Sequence, residues 1–349
     1  MVKKQAKSFL VLVWLTCLGC TIPCSEAPDR RDPNSPRIRL DQEALTRGDV
    51  VRLGPTPGAN ATAVMAIAFS PKKNLLASGN GEGLVQFWDL SSGREVDRIK
   101  TSGLFVTTMA FSPDGNSLLT ANWVDVPRIW TIGTLPERAV WELKTSEFAA
   151  GAAFSPDGKM AATGGDKVIC LWDATCGRQV QRLEGSTDLV RALAFSPDGK
   201  RLASVGQFDD LVHVWDLSTG KELLRRSSGS LEARSIAYSP DGRLLAWGEA
   251  NWPCRVHLFD AVEERELLRM SGHRGTIQSL AFSPDGRRLA SGGSDGVIRI
   301  WDVHSGGCLL TLDLGKAEVN GVAFLPDGTT LASASSDGSV LLWKVPASK

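Results

Sequence analysis

The 349-residue chain carries 39 basic and 39 acidic side chains, so it is electrically balanced at neutral pH. Without a cationic excess to neutralise phosphates, the balance argues against nucleic acid as the main partner, although net charge leaves a local basic patch open. The 42% apolar content is that of an ordinary globular protein, and length alone allows either two domains or one large repeat-built unit.

In chain order, Lys3, Lys4 and Lys7 precede an apolar run that opens with Phe9-Leu10-Val11-Leu12-Val13-Trp14-Leu15 and ends near Gly19. The run is too short to span a bilayer and suits the core of an export signal. Residues 1–19 are therefore expected to be a signal peptide, with Cys17 and Gly19 as the small residues before a cleavage site at Cys20. The site resembles a bacterial lipobox, with Cys17 standing where Leu is usual. Lipidation of Cys20, simple secretion and a retained signal anchor all stay open, and a lipid at Cys20 is the expected route to a membrane. The expected location is the periplasm, or a membrane surface as a lipoprotein. Residues 20–44, with Pro23, Pro28, Pro33 and Pro36 among charged neighbours, read as a flexible linker that cannot bury enough apolar surface to fold.

The remainder is organised by repetition. In the stretch from Gly272 to Asp302, the spacing predicts strands at Ile277–Phe282, Arg288–Gly292 and Val297–Trp301, joined by a Ser283-Pro284-Asp285-Gly286 turn and a Ser294–Gly296 hairpin. A fourth strand is predicted at Gly307–Leu312. The aromatic residue before that turn recurs at Phe69, Phe111, Phe154, Phe195, Tyr238, Phe282 and Phe324, in steps of 42, 43, 41, 43, 44 and 42 residues. A second landmark recurs in phase at Trp88, Trp130, Trp172, Trp215, Phe259, Trp301 and Trp343. A four-stranded meander cannot cover both its faces alone, so such units stack.

On these two landmarks the chain resembles the WD-repeat β-propeller family over roughly residues 45 to 345. The resemblance implies an all-β, seven-bladed propeller over residues 45–349. Val50–Leu53 is expected to close it by supplying the outer strand that the last repeat lacks. It also implies a hydrogen-bonded structural tetrad within a blade, here His273, Ser291, Asp295 and Trp301. The fifth repeat departs most, with Trp247 in the Ser position and Phe259 for Trp, and the fourth and fifth lengthen a hairpin at Gln207–Asp210 and Glu249–Cys254. Trp252 in the latter is either a contact residue or locally packed.

The family's partner-contact positions on the top face map to Met65, Phe105, Trp123, Phe148, Leu189 and Arg191 in repeats one to four. In repeats five to seven they map to Glu232, Arg234, Thr276, Gln278, Ser294, Glu318, Asn320 and Ser336. Phe105, Trp123, Phe148 and Leu189 would form an apolar crescent, which is either an interface core or a set of side chains folded onto neighbouring loops.

Chemistry finds little footing. Gly292-Gly293-Ser294-Asp295-Gly296 fits the nucleophile-elbow pattern but is a repeat hairpin, whereas the elbow needs a strand-to-helix turn. His213, His257, His273 and His304 form no cluster, and Cys170, Cys176, Cys254 and Cys308 lack metal-ligand spacing, so a thiol or a disulfide state is left open. The expectation is a monomeric, non-catalytic protein-interaction scaffold of the bacterial cell envelope, with no cofactor, metal or catalytic residue assigned. The alternatives are a small molecule, glycan or metal held in the central channel, or a propeller hydrolase.

Overall fold

Each repeat is shaped by tight turns. In the sixth, the Gly286 amide donates to the Ser283 carbonyl at 2.8 Å and Gly286 adopts φ 70°. The Asp285 carboxylate accepts from the Ser283 hydroxyl at 2.5 Å and from the Arg287 amide at 3.0 Å. The same local ring recurs at Asp114, Asp157, Asp198 and Asp241. These aspartates fix turns rather than chemistry. The computed structural model describes residues 36–40, 47–54, 61–123, 125–133, 140–145 and 149–347. The expected signal peptide, Cys20 and Phe148 lie outside them.

Among the described residues the strands assemble into six hydrogen-bonded sheets whose innermost strands face a common axis. The expectation of seven separate blades is corrected here. Five sheets are single blades, but repeats three and four share one seven-stranded sheet. The fusion is local. The second hairpin of repeat three is cut short, so the strand Asp166–Asp173 begins early and pairs Asp166 with Leu189. The Val190 amide then donates to the Gly165 carbonyl at 3.0 Å. With those groups satisfied, Arg178–Phe195 runs unbroken from the outer edge of one repeat to the inner edge of the next. Gly185 lies on this passage where an added Cβ would sit 2.9 Å from the Trp215 ring, so a larger residue would push the crossing off the core.

The second strand of each blade is nearly all buried, as in Leu331, Ala332, Ser333 and Ala334 of Thr330–Ser335. Small residues there let neighbouring sheets approach face to face, and apolar clusters fill the wedges between them. Repeat seven meets repeat one at a seam. The Asn320 amide donates to the Val64 carbonyl across it at 2.9 Å. The strand Val50–Leu53 pairs antiparallel with Val340–Lys344, Val50 opposite Trp343 and Leu53 opposite Val340. Both Val50 and Leu53 are buried.

Part of the expected linker is not free. Arg37–Arg39 adds a parallel fifth strand to the outer edge of repeat six, with Ile38 opposite Leu312. Arg37 pairs with Asp313 there, and Ile38 packs against the adjoining core. The strand covers an otherwise open edge.

Leu53→Ala removes a buried side chain from the seam and is expected to lower stability by about 2–5 kcal/mol in denaturant unfolding. An unchanged midpoint would show that the seam does not contribute to holding the ring.

Candidate docking face

The inner strands begin, and the second hairpins turn, at one end of the ring. The pairing of Val106 with Asn122 and of Ala233 with Glu249 places them together. The structure thus gathers the described sequence-mapped contact positions, which do not include Phe148, at a single end, but their exposure is uneven. Phe105 is half-buried in a left-handed conformation, φ 54°, its amide donating to the Gly81 carbonyl at 3.0 Å. Trp123 is half-buried beneath the Arg191 guanidinium, 5.4 Å from the ring centroid. Leu189 is buried. Met65, Arg191, Arg234, Gln278 and Asn320 are among the residues that line the central channel, a half-open cavity of about 200 Å3.

The large apolar side chains exposed at this end lie mainly one step further round. Phe208 is 69% exposed, Leu231 71% and Trp252 66%, all on loops of repeats four and five; Leu104 is exposed nearer repeat two. Trp252 is marked in the sequence by its lengthened hairpin. Phe208 and Leu231 carry no periodic signal, because a single apolar residue in a polar loop looks incidental.

Behind these loops are polar networks that hold them. The tetrad of repeat six is joined through Ser291. Its hydroxyl accepts from Trp301 Nε1 at 2.8 Å and contacts His273 Nε2 at 2.6 Å, while His273 Nδ1 lies 3.1 Å from Asp295. The indole-to-hydroxyl bond recurs at Trp88–Ser78, Trp130–Thr120, Trp172–Thr163, Trp215–Ser204 and Trp343–Ser333, between 2.8 and 3.1 Å. Repeat five replaces both partners. Phe259 brings no N–H, and Trp247, in the hydroxyl position, donates to the Ser228 carbonyl at 2.9 Å.

Repeats four and five also bury an imidazole that the sequence reading passed over. His213 Nε2 lies 3.3 Å from Asp209 and Nδ1 2.5 Å from Glu222. His257 Nε2 lies 2.8 Å from Glu249 and Nδ1 2.6 Å from Glu266. Each ring stacks on a tryptophan, His213 on Trp215 and His257 on Trp247. A neutral imidazole has one N–H, so the two carboxylates beside His213 are both satisfied only by its doubly protonated ring. For His213, burial by itself would lower the pKa, but the bonds to Asp209 and Glu222, with their charges, raise it above the usual value. The Asp209 carboxyl is pushed up by burial yet drawn below its usual range by His213 and the Thr187 amide. Glu266 is held down at about 2, chiefly by its bond to Arg269. Asp209 and Glu249 belong to the hairpins that carry Phe208 and Trp252, so these networks pin the exposed aromatics.

The position two residues before the second landmark thus has a common task. Gln86, Arg128, His213, His257 and Arg299 each reach the outer strand, at Glu95, Glu142, Glu222, Glu266 and Thr311. Three of these pairs share a nine-residue spacing, a signal legible in the sequence. The cysteines Cys170 and Cys254 are buried thiols, and Cys176 is an exposed one.

Comparison with known proteins agrees with this geometry. The model of the WD domain, G-beta repeat family matches residues 53–89, 140–173, 264–302 and 306–344. A WD repeat-containing protein, SL1-17, of Schistosoma mansoni is 34% identical over 142 residues, 40% of this chain and 46% of that protein. The WD repeat-containing protein VIP3 of Arabidopsis thaliana is 31% identical over 176 residues, 46% of this chain and 55% of that one. The Nuclear distribution protein PAC1 of Arthroderma otae is 30% identical over 155 residues, 38% of this chain and 33% of the relative. The chain therefore spans about half or less of the length of these relatives.

Residues 160–278 also match the Cytochrome D1 heme domain, but the residues here do not fit that group. His213, His257 and His273, the histidines of that segment, commit both ring nitrogens, to two carboxylates each in the first two and to Ser291 and Asp295 in the third. The channel of about 200 Å3 is smaller than the roughly 300–1,000 Å3 of ordinary small-molecule sites.

The His213 network makes stability depend on pH with a definite sign. A raised folded-state value means that its contribution is full below about pH 6.5, the unfolded value, and is lost as pH rises through the folded one. The stability gap between the wild type and His213→Gln, read by urea unfolding, is expected to shrink from about pH 6 to about pH 9. A gap that stays constant or widens would refute the imidazolium assignment. The repeated meander and its buried indole-to-hydroxyl bonds make the chain an all-β propeller, four segments of which match the WD domain, G-beta repeat family.

Proposed function

We propose that this chain is a non-catalytic docking scaffold whose protein partner seats on the end of the ring formed by the hairpins of repeats four and five. WD-repeat propellers typically serve as protein-interaction scaffolds, and fold alone does not choose the partner. The observation that carries the reading is the trio Phe208, Leu231 and Trp252, held exposed on that end. Phe208 keeps φ 51°, a left-handed backbone that a bulky residue adopts at a cost and that clusters at functional sites. Large side chains held out on pinned loops supply contact area with little ordering entropy to lose on binding.

The proposed setting is the cell envelope. Lys3, Lys4 and Lys7, the apolar run after Phe9 and the Gly19-Cys20 junction support export, with Cys20 as the residue to test for lipidation. Metabolic labelling with a radioactive fatty acid, comparing the wild type with Cys20→Ser, separates an anchored from a secreted product.

Trp252→Ala and Phe208→Ala are each expected to weaken capture of the native partner by about 1–3 kcal/mol, with melting temperature little changed. Phe105→Ala, half-buried on the same end, is expected to weaken it less. Binding that is indifferent to all three variants would remove this end of the ring from consideration.

A further inference from the structure

We propose that the outer edge of repeat six is a strand-addition site, which takes an extended segment of a partner protein in parallel with Cys308–Asp313. The fitting segment alternates arginines with aliphatic residues. The site is separate from the loops of the docking end and does not depend on that reading.

Three observations carry it. First, this edge lacks the charges that guard the others. Arg98, Arg182, Arg225 and Arg269 lie within the outer strands of repeats one, three, four and five, and Arg52 within the strand that completes repeat seven. Cys308 to Leu312 holds no charged residue before Asp313. An uncharged edge offers its N–H and C=O groups as a template for another strand. Second, a strand of this chain is seated there and shows what the edge accepts. Arg37–Arg39 runs parallel to it, Arg37 opposite Thr311 and Arg39 opposite Asp313. The Thr311 amide donates to the Pro36 carbonyl at 2.9 Å, and the Leu40 amide donates to the Asp313 carbonyl at 2.8 Å. Ile38 and Leu40 pack against the adjoining core. Arg37 and Arg39 both reach the Asp313 carboxylate, Arg39 Nε at 3.6 Å. Backbone bonds hold such a segment, and alternate side chains select it.

Third, the resident strand stops short. It pairs with Thr311, Leu312 and Asp313, the last three residues of a six-residue strand. Pro36, next in line toward Leu310, brings no N–H and ends the ladder. Among the described residues no strand lies outside Cys308 to Leu310, and Leu309 is 42% exposed. A longer segment without proline at that point would pair with all of Cys308–Asp313 and gain bonds the resident cannot make. The resident has the advantage of being joined to the ring, which gives it a high effective concentration. The two compete for one groove, and Arg37–Arg39 is a guard that yields to a better-paired strand.

The test uses the full chain and a fluorescein-labelled peptide, Thr-Val-Thr-Arg-Ile-Arg-Leu. One control peptide carries Glu for both arginines, and another carries Pro for the second Thr. Fluorescence anisotropy is expected to show Ile38→Asp, whose own strand is dislodged, binding the peptide about tenfold or more tightly than the wild type does. Arg37→Ser/Arg39→Ser, which leaves the apolar contacts alone, should shift affinity the same way by a smaller factor, and decides alone if Ile38→Asp fails to fold. Both control peptides should bind the released variants about tenfold more weakly. Adding Asp313→Asn to either released variant should erase the preference for arginine over glutamate. Failure of the peptide to bind either released variant, or equal binding of the arginine and glutamate peptides, overturns the site. Equal affinity of the wild type and the released variants overturns the competition.

Discussion

A buried indole N–H has to find an acceptor, and the remainder of each blade is arranged around that requirement. In six repeats the acceptor is a Ser or Thr hydroxyl on the second strand. Leaving either partner alone in the core would cost about 1–3 kcal/mol. The pair therefore tends to be kept whole or replaced whole, as in repeat five, where Phe259 and Trp247 exchange both roles at once. The bond ties the third strand to the second in one register. That register places every second hairpin at the same end of the ring, where the loops available for binding collect.

What distinguishes repeats four and five is the way this frame has been reused. Their lengthened hairpins bring in Asp209 and Glu249, and a histidine from the third strand joins each acid to another on the outer strand. Arg226 links the two repeats, 3.7 Å from Glu266 and over the Phe259 ring. The stretch that departs furthest from the repeat pattern is therefore cross-braced by charge rather than left loose. Its polar bracing lies directly behind the exposed aromatics, so rigidity and exposure are two faces of one arrangement.

The repeats were legible because two landmarks kept one phase, and the strand positions followed within a residue or so. Cys308–Asp313 stands where Gly307–Leu312 was expected. The division into sheets was not legible. It depends on whether the backbone groups around Glu184 to Val190 find partners, and a shortened hairpin in repeat three decides that from a distance. Counting from the landmarks located the contact positions but could not tell which side chains face water. Leu189 is buried because it pairs into the fused sheet, whereas Phe208 and Leu231 stand out from loops without any pattern to mark them. The histidines looked like random variation at a tolerant position. Their meaning lay in the acid nine residues later, a pairing of strands that periodicity within one strand does not reveal.

The seam carries a consequence for how the molecule comes into being. Val50–Leu53 is synthesised ahead of the strands from Val64 to Ser335, yet its partner Val340–Lys344 is made after them all. The first-made ribbon must therefore wait, unpaired, through the birth of every intervening sheet, and the ring locks in a single late event of very long sequence separation. Until then the product is an open arc with two sticky ends. The ring becomes a closed object only once the segment that carries Val340–Lys344 has been delivered to the waiting strand.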